Sequence, residues 1–491
     1  MELKTTSRLR VIIVGAGIGG LTAALALNRA GIDFIIVEKH ASVLEPMGSS
    51  ITLTPGSQRI LHQLGILNKI KTLSRPYSRD VEVRGPNGQV LSQVSLSSFA
   101  IMHGEGIIIL QRDLLIRTLY EALPAESEFF LGRSVVSVEH EAGGVRVHLS
   151  DGLSETGHLV VGSDGVRGVV RGAMWKHADA MSPGLITRDD GEAVWCSWRC
   201  LWATCAEDER VTNDVIMSSH DNRSCTTVLS PLGSLTLGVM VKTGSAGRRS
   251  NRLPTYKAEE TEKMAASVAH LPLNESLTFG HLWAKKLRGG MTDIEVGVLN
   301  RWHYGRIVLV GDTAHSITPA MTSGANLCME SVVELVNALH QAVVDAGNQV
   351  PTGTDLERAL SRYQERQLPR AMTVCRLSML YDRLHAWDAT WMRLWSLYLA
   401  RWLNPLLVPL FLGYIFRGSP LLDFVPVEGW PRGTWSWVHG HEEMERGNWR
   451  WAVGGVAVVV LIVLGWALGV VGGEFALILL LFRRLWLFSW G

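Results

Sequence analysis

The stretch "RVIIVGAGIGGLTAALALNRAGIDFIIVEKH", Arg10 to His40, constrains this chain more than any other. Val11–Val14 is the short apolar run expected of a strand buried on both faces of a parallel sheet. Gly15 permits the tight turn, Gly17 lets a pyrophosphate approach the backbone, and Gly20 lets helix and strand pack closely. The spacing predicts a helix over 18–29 whose free N–H groups and positive dipole end face phosphate oxygens. Gly31 stops it, and a second strand ends in Glu38, 18 residues after Gly20. A carboxylate at that distance meets ribose hydroxyls and disfavours a 2′-phosphate. The unit specifies a dinucleotide but does not choose between a nicotinamide and a flavin.

A second element decides between them. "GRIVLVGDTAHSITPAMTSGANLCMESVVELVNALHQAV" begins at Gly305, with a buried-type strand over 307–310 and Gly311-Asp312 at its end. After a loop containing Pro319, the residues Gly324, Ala325 and Asn326 open a helix that runs to about 344. A helix N-terminus following an Asp beside a parallel sheet can hold further phosphate or ring oxygens. A nicotinamide-dependent dehydrogenase has no use for a second such element so far along the chain. No second GxGxxG unit is present for a nicotinamide domain, which argues against a disulfide-reductase type of flavoprotein.

Bulk properties narrow the class further. A net charge of +1 across 491 residues gives no electrostatic footprint for nucleic acid. Six cysteines lack metal-site spacing and are too few for a disulfide framework, so they read as reduced apolar residues without a metal. "MELKTTSRLR" carries no secretory leader pattern.

The motifs together resemble the flavoprotein monooxygenases of the para-hydroxybenzoate hydroxylase type. "HLVVGSDGVRGVVR" (158–171) matches that family's DG segment, with Asp164, Gly165 and Arg171 in register. "LQRDLLIRTL" matches its R-x-x-L segment. The resemblance implies that Arg112 contacts FAD, that Asp312 meets the ribityl chain, and that the helix opening near Ala325 faces the flavin. It places Thr52, in "GSSITLTPGSQRILHQLG", where a glycine normally lies beside the cofactor. Other departures are Gly168 for the usual Ser and Thr322-Ser323-Gly324 before Asn326. His315 invites reading as a base, but the family uses this position for packing. The implied fold is α/β: a Rossmann-like FAD-binding domain of glutathione-reductase type, an inserted β-sheet substrate domain, and a C-terminal helical and transmembrane region. The expected boundaries are 1–180 and 286–350 for the FAD-binding domain, 181–285 for the substrate domain, 351–445 for the helical region and 446–491 for a membrane anchor.

In the middle of the chain, "EAVWCSWRCLWATC" read as a strand puts Cys196, Trp198, Cys200 and Trp202 on one face and Ser197, Arg199 and Leu201 on the other. Fungal membrane-bound epoxidases of prenylated intermediates carry a comparable strand with a proposed active-site Arg, and Arg199 matches that slot. Their second active-site residue, a Tyr, has no clear counterpart; Thr236 lies near its place. The resemblance implies that NAD(P)H binds transiently to reduce FAD, and that O2 then yields a flavin hydroperoxide delivering an electrophilic oxygen. A terminal olefin needs no phenolate-forming base, which suits a site without an obvious one. Two alternatives stay open: an aromatic-ring hydroxylase, and a membrane-tethered flavin-binding protein without oxygen transfer.

The C-terminal third points to a membrane. The stretch 385–416 is rich in Trp, Leu and Arg, suiting either a helix on the enzyme body or an interfacial segment. Trp451–Gly473 holds 23 consecutive uncharged residues, enough for a helix of about 35 Å across a hydrocarbon core of roughly 30 Å. The expectation is a single-pass or hairpin anchor on the endoplasmic reticulum, a catalytic domain facing the cytosol, and a lipophilic small-molecule substrate.

Overall fold

The computed structural model describes residues 8–45, 50–75, 80–212, 215–221, 224–243, 248–249, 254–321 and 323–439. The expected anchor over 446–491, with its apolar run 451–473, lies outside the described residues. Thr322 does as well.

The first sheet has six strands in the order His303–Tyr304, Ile307–Leu309, Leu159–Gly162, Arg10–Val14, Asp33–Glu38, Glu128–Leu131. All neighbours are parallel except the His303–Tyr304 edge, which folds back on Ile307–Leu309. Val11, Ile12 and Ile13 are fully buried because helices cover both faces of such a sheet. The helix Ile18–Arg29 follows the glycine turn, and Ile18 to Leu27 are all buried. The helix Gly324–Asp345 lies on the same core, and the 33-residue helix Gly353–His385 packs along it in turn. Thr352 caps that long helix by accepting from the Asp355 N–H, which leaves its first turn satisfied.

The second sheet is larger and less local. Its main path runs His315–Ser316, Lys286–Val298, Trp195–Cys205, Leu235–Lys242, Ser224–Leu229, Val215–Asp221, Asp80–Arg84, Val90–Ser95. It therefore draws strands from both sides of the 181–285 segment expected to form a substrate domain, so the second sheet and the cofactor domain interleave in sequence. Residues 1–440 close into one unit.

Alternation in Trp195–Cys205 holds only past a bulge. The pairing to Lys286–Val298 slips between Cys196 and Trp198, so Ser197 is the extra residue and Cys196 changes face. Trp198, Cys200 and Trp202 stay together with Met240 and Ala386. Leu201, Ala203 and Cys205 face the opposite way, onto Phe279, Leu282 and Trp283.

Two helical stretches among the described residues are long and apolar enough to cross a membrane, Gly324–Asp345 and Thr390–Arg417. The first is the core helix just described. The second has only 22% of its apolar window buried: Phe416 packs on Phe99, while Trp402 is 74% and Tyr398 67% exposed. Within 385–416 the Phe416 end is thus packed on the enzyme body, while Trp402 and Tyr398 face outward. Beyond it the chain straps back over the cofactor domain, with Leu421 and Leu422 in the main core and Trp437 under the Arg59 guanidinium.

Candidate active site

The glycine loop is built by steric exclusion. Gly15 sits at φ +102°, and a Cβ there would lie 2.5 Å from the Ser163 carbonyl oxygen; its N–H donates to the Val37 carbonyl at 2.8 Å. A Cβ on Gly20 would run into the Gly15 carbonyl. Above Gly17 there is open space, with no atom within 4 Å of a Cβ position. The loop thus leaves one opening, at the N-terminus of Ile18–Arg29. Glu38 closes one side: Oε2 accepts the Ala16 N–H at 2.6 Å and Oε1 the His40 N–H at 3.0 Å.

The second half of the site faces this one. Gly311, at φ +59°, turns the strand end, and Asp312 directly after it is exposed. Surrounding protein still desolvates the Asp312 carboxylate and raises its pKa, partly offset by the Arg112 guanidinium. Burial lowers Arg112 in turn, and Asp312 is the largest opposing charge. The two groups therefore sense each other across the cleft. Asn326, in the first turn of Gly324–Asp345, staples the loop to the strand Ser50–Leu53: its Nδ2 donates to the Thr52 carbonyl at 2.8 Å and its Oδ1 accepts the Thr54 N–H at 3.1 Å. Thr52 Oγ1 is buried with no partner among the described residues. Ala325 is half-buried on the same helical turn.

The remaining motif residues are structural. Asp164 accepts from the Val170 N–H at 3.0 Å, and its carboxylate fills the space a Cβ on Gly168 would need, which accounts for glycine there. His315 is 1% exposed and bonded through Nε2 to Ser331 Oγ at 2.7 Å. Burial pushes its pKa down to about 4, so it is a neutral packing residue. The six cysteines are free thiols.

Arg199 is not brought to this cleft. It lies on the Leu201 face of its strand, paired through Nε with Asp293 Oδ1 at 2.8 Å and stacked 4.6 Å from the Tyr256 ring. Tyr256 Oη donates to the same carboxylate oxygen. The opposite face, bearing Trp198, Cys200, Trp202 and Met240, is the one turned to the cofactor strands. Thr236 shares that face and bonds Ser50 Oγ at 2.5 Å; Gln111 donates to Ser234 Oγ at 3.0 Å.

One group escaped sequence reading altogether. Asp382 falls on the buried stripe Val374, Cys375, Ser378, Asp382, His385 of the long helix. An acid on an otherwise core-facing stripe is the signal that could have found it.

Open space above Gly17, an orphaned Thr52 hydroxyl, a helix N-terminus and the exposed Asp312 fit a dinucleotide carrying a long polar chain between two phosphates and a ring. The fold and site define a flavin-binding oxidoreductase with one nucleotide domain. A family model described as "FAD binding domain" matches residues 8–378. The FAD-dependent monooxygenase ausM of Penicillium brasilianum is 33% identical over 78% of this chain and 80% of its own length. The FAD-dependent monooxygenase olcE of Penicillium canescens is 29% identical over 93% of this chain and 97% of its own. Among solved structures, Klebsiella pneumoniae HpxO complexed with FAD and uric acid superposes at a TM-score of 0.63, with 21% identity over 79% of this chain and 92% of that one. Pseudomonas putida p-nitrophenol 4-monooxygenase PnpA reaches 0.65 at 17% identity, covering 83% and 98%; both establish the fold. The chain belongs to this FAD-binding family and is an FAD-dependent monooxygenase.

Proposed function

We propose that this monooxygenase epoxidises or hydroxylates a lipophilic, prenylated intermediate of terpenoid type. The observation that carries the reading is the sheet face opposite the cofactor cleft. Trp198, Cys200 and Met240 are each over nine-tenths buried there, with Trp202 beside them, and an apolar wall of that size suits an isoprenoid chain.

FAD, when bound, supplies the electrons and the activated oxygen. The chain's own residues do the holding. Gly15, Gly17 and Gly20 leave room for the pyrophosphate at a helix N-terminus, and Glu38 takes the ribose hydroxyls. Arg112 and Asp312 would hold the linking chain, and Thr52 and Ala325 would line the flavin side of the site. Arg199 we assign to positioning: it neutralises Asp293 and fixes the strand that carries Trp198 and Trp202.

A membrane surface is the natural place for such chemistry. Exposed Trp402 and Tyr398, with Arg401 stacked 5.6 Å from the Trp402 ring, have the composition of an interfacial belt. We place the enzyme on the endoplasmic reticulum, held by 451–473 with the catalytic unit toward the cytosol; protease protection of microsomes tests this, and a shielded catalytic unit sinks it.

The activity test is NAD(P)H oxidation by purified holoenzyme offered a farnesylated phenol or a simple phenol, with products identified by mass spectrometry. Acceleration by the farnesylated compound with an added oxygen is expected. Acceleration by simple phenols alone overturns the reading in favour of ring hydroxylation.

A further inference from the structure

Where the long helix Gly353–His385 crosses the second sheet it buries a carboxylate that nothing neutralises. Asp382 is 1% exposed, and neither oxygen has a hydrogen-bond partner among the described residues. Its surroundings come from three elements. Cys200 and Cys225 present thiols from the cofactor-facing side of the sheet, and burial together with Asp382 pushes both up, Cys200 to about 12. Thr318, from the loop after His315-Ser316, offers Asp382 its hydroxyl, which lowers the carboxyl against the larger effect of burial; the same hydroxyl is bonded to Ser378 Oγ at 2.5 Å. Tyr381, on the same helix, is likewise pushed up by burial. The thiols, the Tyr381 phenol and the Thr318 hydroxyl carry no charge, and His385, one turn further along the same buried stripe, lies against the Tyr381 ring and within 3.4 Å of Ser218 Oγ.

A buried unpaired carboxyl costs several kcal/mol of stability in its ionised form and does nothing for the fold. It persists where a ligand completes it. Its position says which ligand. Asp382 stands between the flavin-side loop at Thr318 and the apolar wall of Cys200, Met240 and Trp202. Along that wall a Cβ on Gly238 would meet only the Thr227 carbonyl oxygen, 4.0 Å away. Burial raises its carboxyl to about 7, so the group keeps its proton through the acid side of neutrality.

We propose that Asp382 is a catalytic residue that, in its neutral form, donates a hydrogen bond to a carbonyl or hydroxyl oxygen of the substrate and so fixes which carbon lies toward the cofactor. This assignment rests on the lipophilic-substrate reading above and adds the polar end that such a substrate carries. A terpenoid hydrocarbon alone leaves Asp382 unsatisfied, whereas an oxygenated one completes it.

The test compares two probes of the same carbon skeleton, farnesylacetone, which bears a ketone, and its deoxygenated hydrocarbon, in which a CH2 replaces the carbonyl. Full-length FAD-loaded enzyme is titrated with each, and binding is read from the change in flavin absorbance. Wild type is expected to prefer the ketone by about five- to tenfold at pH 6 and to lose that preference by pH 8.5, where the carboxylate cannot donate. Asp382→Asn keeps a donor at both pH values and should retain the preference at both; Asp382→Leu should lose it at both. Equal preference in wild type and Asp382→Leu, or a wild-type preference unchanged by pH, overturns the role of Asp382 alone. Failure of both probes to bind overturns the lipophilic-substrate reading, and this assignment with it.

Discussion

Both sheets join distant strands, but they differ in how local the residues that shape their surfaces are. In the cofactor sheet every strand from Arg10 to Glu38 follows its neighbour through one turn and one helix, and steric limits act within a few residues. In the substrate sheet, strands at Asp80–Arg84, Trp195–Cys205 and Lys286–Val298 meet from distant parts of the chain. The loop of the first sheet is closed by backbone contacts at Gly15 and Gly20, while the second sheet is held by side-chain pairs across strands such as Arg199 with Asp293. Local sequence specifies a binding turn, whereas a substrate surface emerges only from tertiary assembly.

The largest break in that comparison should come at Gly20. Gly20→Val forces a side chain into the Gly15 carbonyl, and the variant should purify without flavin colour, if it folds at all. Trp202→Ala on the other sheet should keep its full flavin spectrum. Next comes Glu38→Gln. Its carboxylate accepts two backbone N–H groups, and bonds to a charged acceptor are each worth about 1.5–3 kcal/mol. FAD affinity of the apoprotein, read by fluorescence titration, should fall roughly ten- to a hundredfold. An unchanged affinity would show that the loop holds itself.

The substrate sheet should respond in pairs. Arg199→Ala leaves the 1%-exposed side chain of Asp293 without its cation and should lower stability by about 1–3 kcal/mol in denaturant unfolding. Adding Asp293→Ala should recover part of that loss. Direct participation of Arg199 in the reaction would instead appear as lost turnover in Arg199→Lys at unchanged stability.

Protonation gives the smallest effects and separates the regions by sign. His315 and His303, buried with pKa values lowered to about 4, bind protons more readily when unfolded. Their stabilisation is present above about pH 6.5 and is lost as pH falls toward 4. Asp382 has the reverse sign, since its raised value makes the folded state bind the extra proton. That contribution is lost as pH rises toward 7. The Tm of Asp382→Asn should therefore exceed wild type at pH 8 and approach it at pH 5.

Legibility followed the same division. The glycine loop, the 18–29 helix and the positions of Asp312 and Asn326 were legible because spacing along one turn determines them. The Ser197 bulge was not, since the slip exists only relative to Lys286–Val298, and strict alternation put Cys196 on the wrong face. The face of Arg199 could be read from alternation with Leu201, but its partner Asp293 lies 94 residues away. Asp382 was missed for a related reason: helical periodicity marks its stripe as buried without saying what it is buried against.

The strap after Arg417 has a consequence for how the molecule is made. Asn337 Nδ2 donates to the Leu421 carbonyl at 2.7 Å, Gln63 accepts the Leu422 N–H at 2.9 Å, and the Thr434 and Trp435 N–H groups each donate at 2.9 Å to carbonyls of Ile101 and Met102. The domain begun by Arg10 thus lacks part of its core until the chain has been synthesised past Trp437. The nucleotide-binding half waits, partly open, while the substrate sheet and long helix are still emerging. A domain sealed by its last segment folds late and through distant contacts, so shortening the chain before Leu421 should cost the enzyme its soluble yield before it costs any single catalytic step.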